Sequence, residues 1–581
     1  MITKLPLKPT NKEGKISFVT MRPTVEAHLP DGRVLRGPRN SKVGEFLEIL
    51  NSPHAPLIVG AIVNGELREL TYPIKMDACI RPIAIDGADG ARIYRRSLIF
   101  LLETAFSMIF PYDSLNVDHS VGSGGFYCRV SSRHPLTEAE LDKLENKMQE
   151  LVNKDLPFCR KEIPLVEAIQ YFQNEGEEDK VRLLSHRQKN YLTMYQLENR
   201  RDYHHGYMVP STGYLRWFQL VPTGEGFTLR FPRRHAPSQL LPMVKYPKLL
   251  ETFQQYGNWL ERLGISSVGA LNDAIKKNRI DEIILVSEAL HEQDVTEIAS
   301  QILEPIREAR IVMIAGPSAS GKTIFSKRLS IQLLASGVTP FPIELDNYFV
   351  DRELTPLNKE GKPDFESIKA LDREQLSKNL LDLISGKEVR LPKYNFITGK
   401  REPGETVQLH SNEIIILEGI HGLNPDLIAN LDSRFTFRIY VSALTQLNLD
   451  RHNRVSTTDS RLIRRIVRDA RERGYTAQQT IQRWEAVRQG EKQNIFPYQE
   501  NADVMFNSAL VYELSALKPL VEPLLRQVSY GTDEYIEAKR LLAFLEWFLA
   551  IESDIIPENS ILREFIGHSI LREFTLWHNH R

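Results

Sequence analysis

The sequence predicts a multidomain α/β protein whose C-terminal half contains a doubly wound parallel sheet. Its 581 residues are enough for three or four domains at about 150 residues each. After residue 310, the short apolar runs RIVMIAG, PFPIEL, EIIIL and FTFRIYV alternate with helical patterns, as in parallel sheets that helices cover on both faces. Shorter strand and helix patterns before residue 235 predict N-terminal α+β domains.

The composition is that of a folded protein with no dominant charge. Hydrophobic residues make up 42% and charged residues 26%, which argues against a disordered chain. The 74 basic and 75 acidic residues give a net charge of -1, so a chain-wide role in binding polyanions is not supported. The cysteines lack CxxC spacing, which argues against a disulfide framework or a zinc knuckle and favours a reducing compartment. They are Cys79, Cys128 and Cys159.

No segment has the pattern of a signal peptide or a membrane span. The N-terminal residues MITKLPLKPTNKEGK are polar. Glu103 interrupts the apolar stretch at 97–110, and Glu546 interrupts the one at 541–552. We therefore expect a soluble, cytoplasmic protein with no membrane partner.

Changes of pattern along the chain divide it into five segments. In the first segment, Pro30-Asp31-Gly32 and Asn64-Gly65 are turn signals between short apolar runs. The segments are an α+β unit at 18–86, a second unit of strands and helices at 91–235, a helical connector at 240–305, the α/β unit at 306–512 and a helical tail at 513–581.

Two further stretches carry local signals. Residues 136–155 have the spacing of an amphipathic helix, which Thr137 opens with Glu140 three residues later, as in a capping box. The stretch SILREFIGHS near the C-terminus has no motif. We interpret it as an apolar helix that docks on a neighbouring domain.

Residues 316–323, GPSASGKT, fit the phosphate-binding pattern G-x-x-x-x-G-K-[ST]. The apolar run from Ile311 to Ala315 precedes them, and a helix is expected from Lys322. Backbone N–H groups of such a loop bind the phosphates of a nucleoside triphosphate, while Lys322 reaches the β and γ phosphates and Thr323 ligates Mg²⁺. The alternative is a turn rich in glycine and serine, but the strand–helix context favours a P-loop NTPase domain. The predicted ATP-binding residues are Gly316, Ser318, Ala319, Ser320, Gly321, Lys322 and Thr323.

Two carboxylates follow at the ends of later predicted strands. Asp346 comes directly after PFPIEL, and Glu418 ends EIIILE. Ligands of open α/β sheets gather at these strand ends. We expect one carboxylate to hold Mg²⁺ and the other to accept a proton from an attacking hydroxyl. A helix N-cap or a turn is the alternative interpretation of each residue.

The stretch 451–473 is rich in arginine and contains no lysine. Bidentate guanidinium groups suit a transferring phosphoryl group, so this stretch is a candidate lid over the nucleotide. A solvated helix with internal salt bridges is the alternative, because acidic residues are interleaved at Asp450, Asp459, Asp469 and Glu472. The eight arginines are Arg451, Arg454, Arg461, Arg464, Arg465, Arg468, Arg471 and Arg473.

Residues 306–512 resemble the uridine–cytidine kinase branch of the phosphoribulokinase/uridine kinase family. The matching segments are GPSASGKT, LDNYF, PDFESIKALD, LPKYNFITGKR, ILEGIHGL and RLIRRIVRDARERG, in the family's order. The resemblance implies Asp346 as the general base for a nucleoside 5′-hydroxyl, with Thr323 and Glu418 at Mg²⁺. Lys322, Arg464, Arg468 and Arg473 are the implied catalytic cations. The implied substrate-binding residues are Tyr348, Glu366, Tyr394, Phe396, Arg401, Arg461 and Gln479.

Two positions depart from the family's pattern. Gly399 stands where uridine–cytidine kinases place a histidine that reads the base, and Glu366 replaces a shorter aspartate that holds the ribose hydroxyls. Loss of a buried polar contact from a base pocket changes discrimination strongly. The sugar is therefore better supported than the identity of the base.

The N-terminal 235 residues resemble the front end of threonyl-tRNA synthetases. Residues 18–86 are similar to a TGS domain, and residues 91–235 to the domain that edits mischarged tRNA, most clearly in RDYHHGYMVPSTGYLRWFQL. That editing site uses an HxxxH pair and a second pair of Cys and His four residues apart. Here the pairs are His119 with Ser123 and His204 with Met208, and we expect no intact hydrolytic site. A retained contact with RNA or tRNA is the more plausible role.

The whole architecture resembles bacterial fusion-type nucleoside kinases. The leading hypothesis is an ATP- and Mg²⁺-dependent kinase that phosphorylates the 5′-hydroxyl of uridine or cytidine. One rival is an NTP-dependent RNA-binding or translation-associated factor. The other is a kinase of the same family that acts on a different small hydroxyl substrate. A homo-oligomer is an open expectation.

Overall fold

The computed structural model describes residues 22–52, 55–131, 133–304, 308–357, 361, 363–364, 366–395, 397–429, 431–445 and 447–574. Phe396, one of the predicted substrate-binding residues, lies outside the described residues. Among the helices in these ranges, none combines the length and the hydrophobicity that a membrane crossing needs.

The first unit is a small sheet with one short helix. Strands β1 to β5 span Thr24–His28, Val34–Pro38, Ile58–Val63, Glu66–Glu69 and Ala78–Ala84, and helix α1 spans Val43–Leu47. The strand order is β2-β1-β5-β3-β4. Both predicted turns are confirmed, since β1 pairs with β2 and β3 with β4 in antiparallel hairpins. Gly32 and Gly65 take φ angles of 85° and 81°, a region that glycine tolerates best.

The second unit packs two helices against a four-stranded sheet. Its elements are α2 (Ala88–Ile109), β6 (Ser114–Val121), β7 (Gly125–Ser131), α3 (Glu138–Asn153), β8 (Cys159–Pro164), α4 (Leu165–Asn174), α5 (Glu178–Ser185), β9 (Tyr191–Leu197), β10 (Arg200–Asp202), β11 (Gln219–Thr223) and β12 (Gly226–Arg230). The sheets have the orders β11-β12-β7-β6 and β10-β9-β8. Leu102 of α2, Leu144 of α3 and Leu229 of β12 share one buried core.

The predicted capping box at the start of α3 is confirmed. Thr137 accepts a hydrogen bond from the Glu140 N–H at 3.3 Å, and the Glu140 carboxylate accepts one from the Thr137 N–H at 2.9 Å. Thr137→Ala is expected to destabilise α3 by about 1 kcal/mol, because first-turn N–H groups lose their acceptor. Amide hydrogen exchange of residues 138–142 measures this loss. Thr137→Ser keeps the acceptor, so exchange as fast as in the alanine variant would contradict the capping role.

Three helices connect the second unit to the C-terminal half. They are α6 (Pro247–Leu263), α7 (Val268–Lys276) and α8 (Ile280–Ile302). Gly264 ends α6 in a left-handed conformation, with a φ angle of 74°. Glu288 of α8 faces the C-terminal half and accepts hydrogen bonds from Arg328 and Tyr512. Helix α8 of the connector therefore packs against the C-terminal half.

The C-terminal half contains the doubly wound parallel sheet that the sequence predicts. Its elements are β13 (Ile311–Ala315), α9 (Lys322–Ala335), β14 (Thr339–Glu344), α10 (Arg373–Ile384), β15 (Glu388–Asn395), β16 (Lys400–Gln408), β17 (Glu413–Glu418), β18 (Thr436–Ser442), α11 (Thr457–Arg473), α12 (Ala477–Asn494) and β19 (Val504–Asn507). The strand order β14-β17-β13-β18-β19 is parallel throughout. Strands β15 and β16 form a separate antiparallel hairpin.

The tail after β19 folds back onto this half. It contains α13 (Glu513–Leu525), α14 (Asp533–Leu545) and α15 (Arg563–Ile566). Within SILREFIGHS, Ile561, Leu562 and Phe565 are fully buried. The interpretation of this stretch as a docked apolar segment is thus confirmed, although its helix is only one turn long.

The loop before α11 is held by the second unit. The Val117 N–H donates to the Arg451 carbonyl at 2.8 Å, and the Asn448 side chain donates to the Val117 carbonyl at 3.2 Å. Arg451 also donates to the Asp179 carboxylate, with its Nη2 2.6 Å from Oδ1. The N-terminal half therefore fixes the base of the arginine-rich helix.

Candidate functional site

The phosphate-binding motif lies in the predicted strand–loop–helix context. Strand β13 ends at Ala315 and α9 begins at Lys322. Two glycines are required by close approaches of other segments. A Cβ at Gly316 would lie 2.0 Å from the Val441 carbonyl oxygen, and one at Gly321 would lie 2.6 Å from Ile561 Cγ2. Ala319 and Gly321 have positive φ angles of 57° and 88°. Such a backbone turns successive N–H groups toward a common concavity, which can bind an anion.

Lys322 and Thr323 face different partners at the start of α9. The Lys322 ammonium donates to the carbonyls of Gly316 at 3.0 Å and Pro317 at 3.2 Å. Burial lowers the pKa of Lys322, while the Glu418 carboxylate opposes that shift. The Thr323 hydroxyl donates to Glu418 Oε1 at 3.0 Å. A hydroxyl and a carboxylate are hard oxygen donors, which fit Mg²⁺.

The two predicted carboxylates lie at the same edge of the sheet. Strands β14 and β17 pair in register, with Glu344 opposite Glu418, and Asp346 follows β14 in a one-turn helix at Leu345–Tyr348. The Asp346 side chain is exposed to solvent, but neighbouring residues partly desolvate its carboxylate. This desolvation, with the negative charge of Glu344, raises the pKa of Asp346, and Lys322 opposes the shift. Burial likewise raises the pKa of Glu418.

Three predicted substrate-binding residues lie along the hairpin and the one-turn helix. Tyr348 is buried, and its hydroxyl accepts from Asn379 of α10 at 3.1 Å. The Tyr394 ring is buried with its centroid 5.6 Å from that of Phe349. Arg401 pairs with Asp372 at 2.7 Å. These contacts hold the three side chains in place in the part of the structure next to Asp346.

Two other predicted substrate-binding residues lie on or against α12. Glu366 packs on Gly490, where a Cβ would lie 3.2 Å from its Cγ. Gln479 instead caps the exposed N-terminus of α12, because its side chain accepts from the Thr476 N–H at 3.0 Å. The structure therefore does not bring Gln479 together with Glu366.

The arginines of α11 divide into two groups. Arg461 and Arg465 contact the phosphate loop, donating to the Ser318 carbonyl and to the Ser318 hydroxyl, each at 2.9 Å. The predicted catalytic arginines have other partners. Arg464 is fully buried and bonds to Ser508 and Glu513, while Arg468 and Arg473 lie 3.2 and 3.5 Å from Asp469.

Two carboxylates that accept hydrogen bonds from the phosphate-binding loop and the first turn of α9 were not predicted from the sequence. Glu491 Oε1 accepts from the Ser318 N–H at 3.0 Å and also pairs with Arg461. Glu564 Oε2 accepts from the Ile324 N–H at 3.4 Å. Neither residue belongs to a motif, and their separations of 173 and 240 residues from their partners leave no periodic signal.

His119 and His204 lie in the core of the second unit. His119 is stacked on Phe253, with centroids 4.0 Å apart, and burial lowers its pKa to about 3. His204 is also buried, its pKa is likewise lowered to about 3, and its Nε2 lies 3.5 Å from Glu103 Oε1. Ser123 and Met208 are buried as well. The two histidines are therefore side chains of a buried core in this structure.

Comparison with known proteins gives different relatives for the two halves. Residues 311–515 match the model of the Phosphoribulokinase / Uridine kinase family. The N-terminal region matches threonine–tRNA ligases, including that of Laribacter hongkongensis at 33% identity over 194 residues, covering 33% of this chain and 30% of the ligase. The ligase of Desulforamulus reducens is 28% identical over 198 residues, covering 34% of this chain and 31% of the ligase. The match thus spans less than a third of these relatives' length.

Solved structures similar to this chain include two kinases. A possible uridine kinase from Bacillus stearothermophilus is 20% identical, with a TM-score of 0.26, covering 37% of this chain and 98% of that one. D-glycerate 3-kinase from Cryptococcus neoformans is 14% identical, with a TM-score of 0.26, covering 36% and 89%. The chain thus joins an N-terminal region similar to threonine–tRNA ligases to a C-terminal segment that matches the Phosphoribulokinase / Uridine kinase family.

Proposed function

We propose that the protein is an ATP- and Mg²⁺-dependent kinase that phosphorylates the 5′-hydroxyl of uridine or cytidine. The observation that carries this proposal is the arrangement at one sheet edge. Lys322 and Thr323 begin α9, Thr323 bonds to Glu418, and Asp346 follows the strand next to β17. The family match of residues 311–515 supports phosphoryl transfer to a hydroxyl.

Each group has a distinct chemical role in this proposal. The loop N–H groups and Lys322 bind the phosphates of ATP. Thr323 and Glu418 would hold Mg²⁺, which neutralises phosphate charge when it is bound. Asp346 accepts the proton of the attacking hydroxyl. Its environment supports that role, because desolvation and Glu344 raise the pKa of Asp346 and a raised pKa makes a carboxylate a stronger base.

The acceptor pocket in this proposal lies between the β15–β16 hairpin and α12. Glu366 would bind the ribose hydroxyls, and Tyr348, Tyr394 and Arg401 would shape the base side. Gly399 has a φ angle of 70°, and a Cβ there would lie 2.7 Å from Arg352 Nε. A histidine at this position would require Arg352 to move, and the glycine itself offers no side chain, so in this proposal another group would read the base.

The arginine-rich helix would act as the lid. Arg461 and Arg465 already contact Ser318 in the loop and would turn toward a bound phosphate. Arg468 and Arg473 would exchange Asp469 for phosphate oxygens as the lid closes. Arg464, bound to Ser508 and Glu513, and Gln479, at the end of α12, would need larger rearrangements to reach a ligand.

ADP formation from Mg·ATP with a panel of nucleosides and other small alcohols tests the proposal. We expect turnover with uridine or cytidine. Lys322→Ala should lower it at least about 100-fold, because the transferring phosphate loses its main cation. Lys378→Ala, which removes an exposed lysine of α10 in the same unit, is the control and should leave turnover nearly unchanged. Turnover with a different alcohol, and with no nucleoside, would show that the protein is a kinase that acts on another substrate.

A second candidate function rests on the N-terminal similarity to threonine–tRNA ligases. In this alternative, the protein contacts tRNA and the C-terminal unit hydrolyses a nucleotide as a switch. ATP hydrolysis stimulated by tRNA, without phosphorylation of any nucleoside, would favour it over the kinase. Binding of tRNA alongside nucleoside phosphorylation would add a partner to the kinase instead.

A further inference from the structure

The C-terminal segment Ser560–Arg572 lies directly on the nucleotide-binding loop and its helix. Ile561 approaches Gly321 so closely that a side chain at this glycine would collide with it. The Lys327 ammonium donates to the carbonyls of Leu571 at 2.7 Å and Arg572 at 2.8 Å. The segment is therefore anchored on both sides of the first turn of α9.

Glu564 is the charged group that this segment brings to the loop. Its Oε2 accepts from the Ile324 N–H at 3.4 Å, and its Oε1 lies 3.8 Å from Arg468 Nη1. The side chain is only 14% exposed. Arg471 donates to the Glu564 backbone carbonyl at 3.1 Å, which fixes the position of the residue between α9 and α11.

These partners are the kinds of group that bind the phosphates of a nucleotide. The first-turn N–H groups of α9 carry the positive end of the helix dipole, and Arg468 belongs to the proposed lid. A carboxylate that binds these groups carries a negative charge, as a phosphate does, and competes with it for the same hydrogen-bond donors. Glu564 also lies near enough to Lys322 and Glu418 to act on the charges of both.

We propose that Glu564 is a built-in competitor of the donor phosphates. It occupies the Ile324 N–H and holds Arg468 in the free protein, and it weakens nucleotide binding until the phosphates displace it. This inference rests on the proposed role of the loop in binding ATP. It assigns to the C-terminal segment a direct influence on nucleotide affinity.

Calorimetric titration with Mg·ADP tests this proposal without any acceptor substrate. Glu564→Gln keeps the size of the side chain and removes its charge, so we expect binding roughly 3- to 10-fold tighter than in the wild type. Glu573→Gln removes an exposed charge from the same region and should change affinity by less than about twofold. The gain of Glu564→Gln should shrink when NaCl is raised from about 0.05 to about 0.5 M, because salt screens the repulsion.

The outcomes separate this inference from the proposed function. Equal or weaker ADP binding by a folded Glu564→Gln variant, with normal binding by the wild type, overturns the role of Glu564 alone. A wild type that binds no ADP overturns the nucleotide site, and this inference with it. Glu564→Ala provides a second variant, and it should also bind more tightly than the wild type.

Discussion

Replacement of Asp346 by asparagine is expected to lower nucleoside phosphorylation at least about 100-fold and to leave Mg·ATP binding within about threefold. The amide cannot accept the hydroxyl proton, whereas the loop, Lys322 and Thr323 are untouched. Initial rates and a nucleotide titration on the same preparation measure the two quantities. An equal loss of ATP binding would show that Asp346 holds the metal or the loop instead of acting as a base.

Glu344→Gln is the matched control for Asp346, and it makes a signed prediction about pH. Glu344 raises the pKa of Asp346, so its neutralisation should lower that pKa. A base acts in its ionised form, and kcat/KM therefore falls as pH drops through its pKa. The acid limb of the pH profile should move to lower pH in Glu344→Gln. An unmoved acid limb would argue that Asp346 does not set it.

Lys180→Met is expected to reduce the free energy of unfolding by about 3–5 kcal/mol. Lys180 is fully buried, lies 2.9 Å from Glu177, and pairs with Asp202. Its ammonium is also 3.0 Å from His452 Nδ1, in the loop that leads to α11. A methionine fills a similar volume but leaves the buried carboxylates without their cation.

Urea denaturation that is followed by tryptophan fluorescence measures this loss. The control is Lys189→Met, which removes an exposed pair with Glu546 and should cost less than about 1 kcal/mol. Adding Asp202→Asn to Lys180→Met should restore part of the stability, because it removes one uncompensated charge. Equal stability of the two single variants would show that the buried cluster does not support the fold.

Signals confined to a few consecutive residues predicted the structure well. The capping box at Thr137, the hairpin turns and the strand–loop–helix around 316–323 depend on local backbone preferences and short-range hydrogen bonds. The parallel sheet follows from alternation of apolar runs and helices, which is also visible along the chain. The fold class was accordingly predictable without knowledge of any tertiary contact.

Contacts between distant residues could not be predicted in this way. The eight arginines were evident as a group, and Asp469 pairs locally with Arg468 and Arg473. Other partners are distant in the sequence, and no spacing rule connects them to the arginines; they include Ser318, Ser508, Glu513 and Glu564. The same holds for His452, which meets Lys180 across 272 residues. An ion pair depends on which elements pack together, and only the packed structure determines that choice.

The contacts of Ile561 and Glu564 with the loop can form only late in the synthesis of the chain. The last strand of the parallel sheet is complete at Asn507, but Glu564 is added 57 residues later. At about 5–20 residues per second, a ribosome needs roughly 3–11 s for that stretch. Under the proposed role of Glu564, the nascent loop could meet cellular nucleotide during those seconds, before Glu564 has been translated. Newly made molecules would then begin with their ligand already bound.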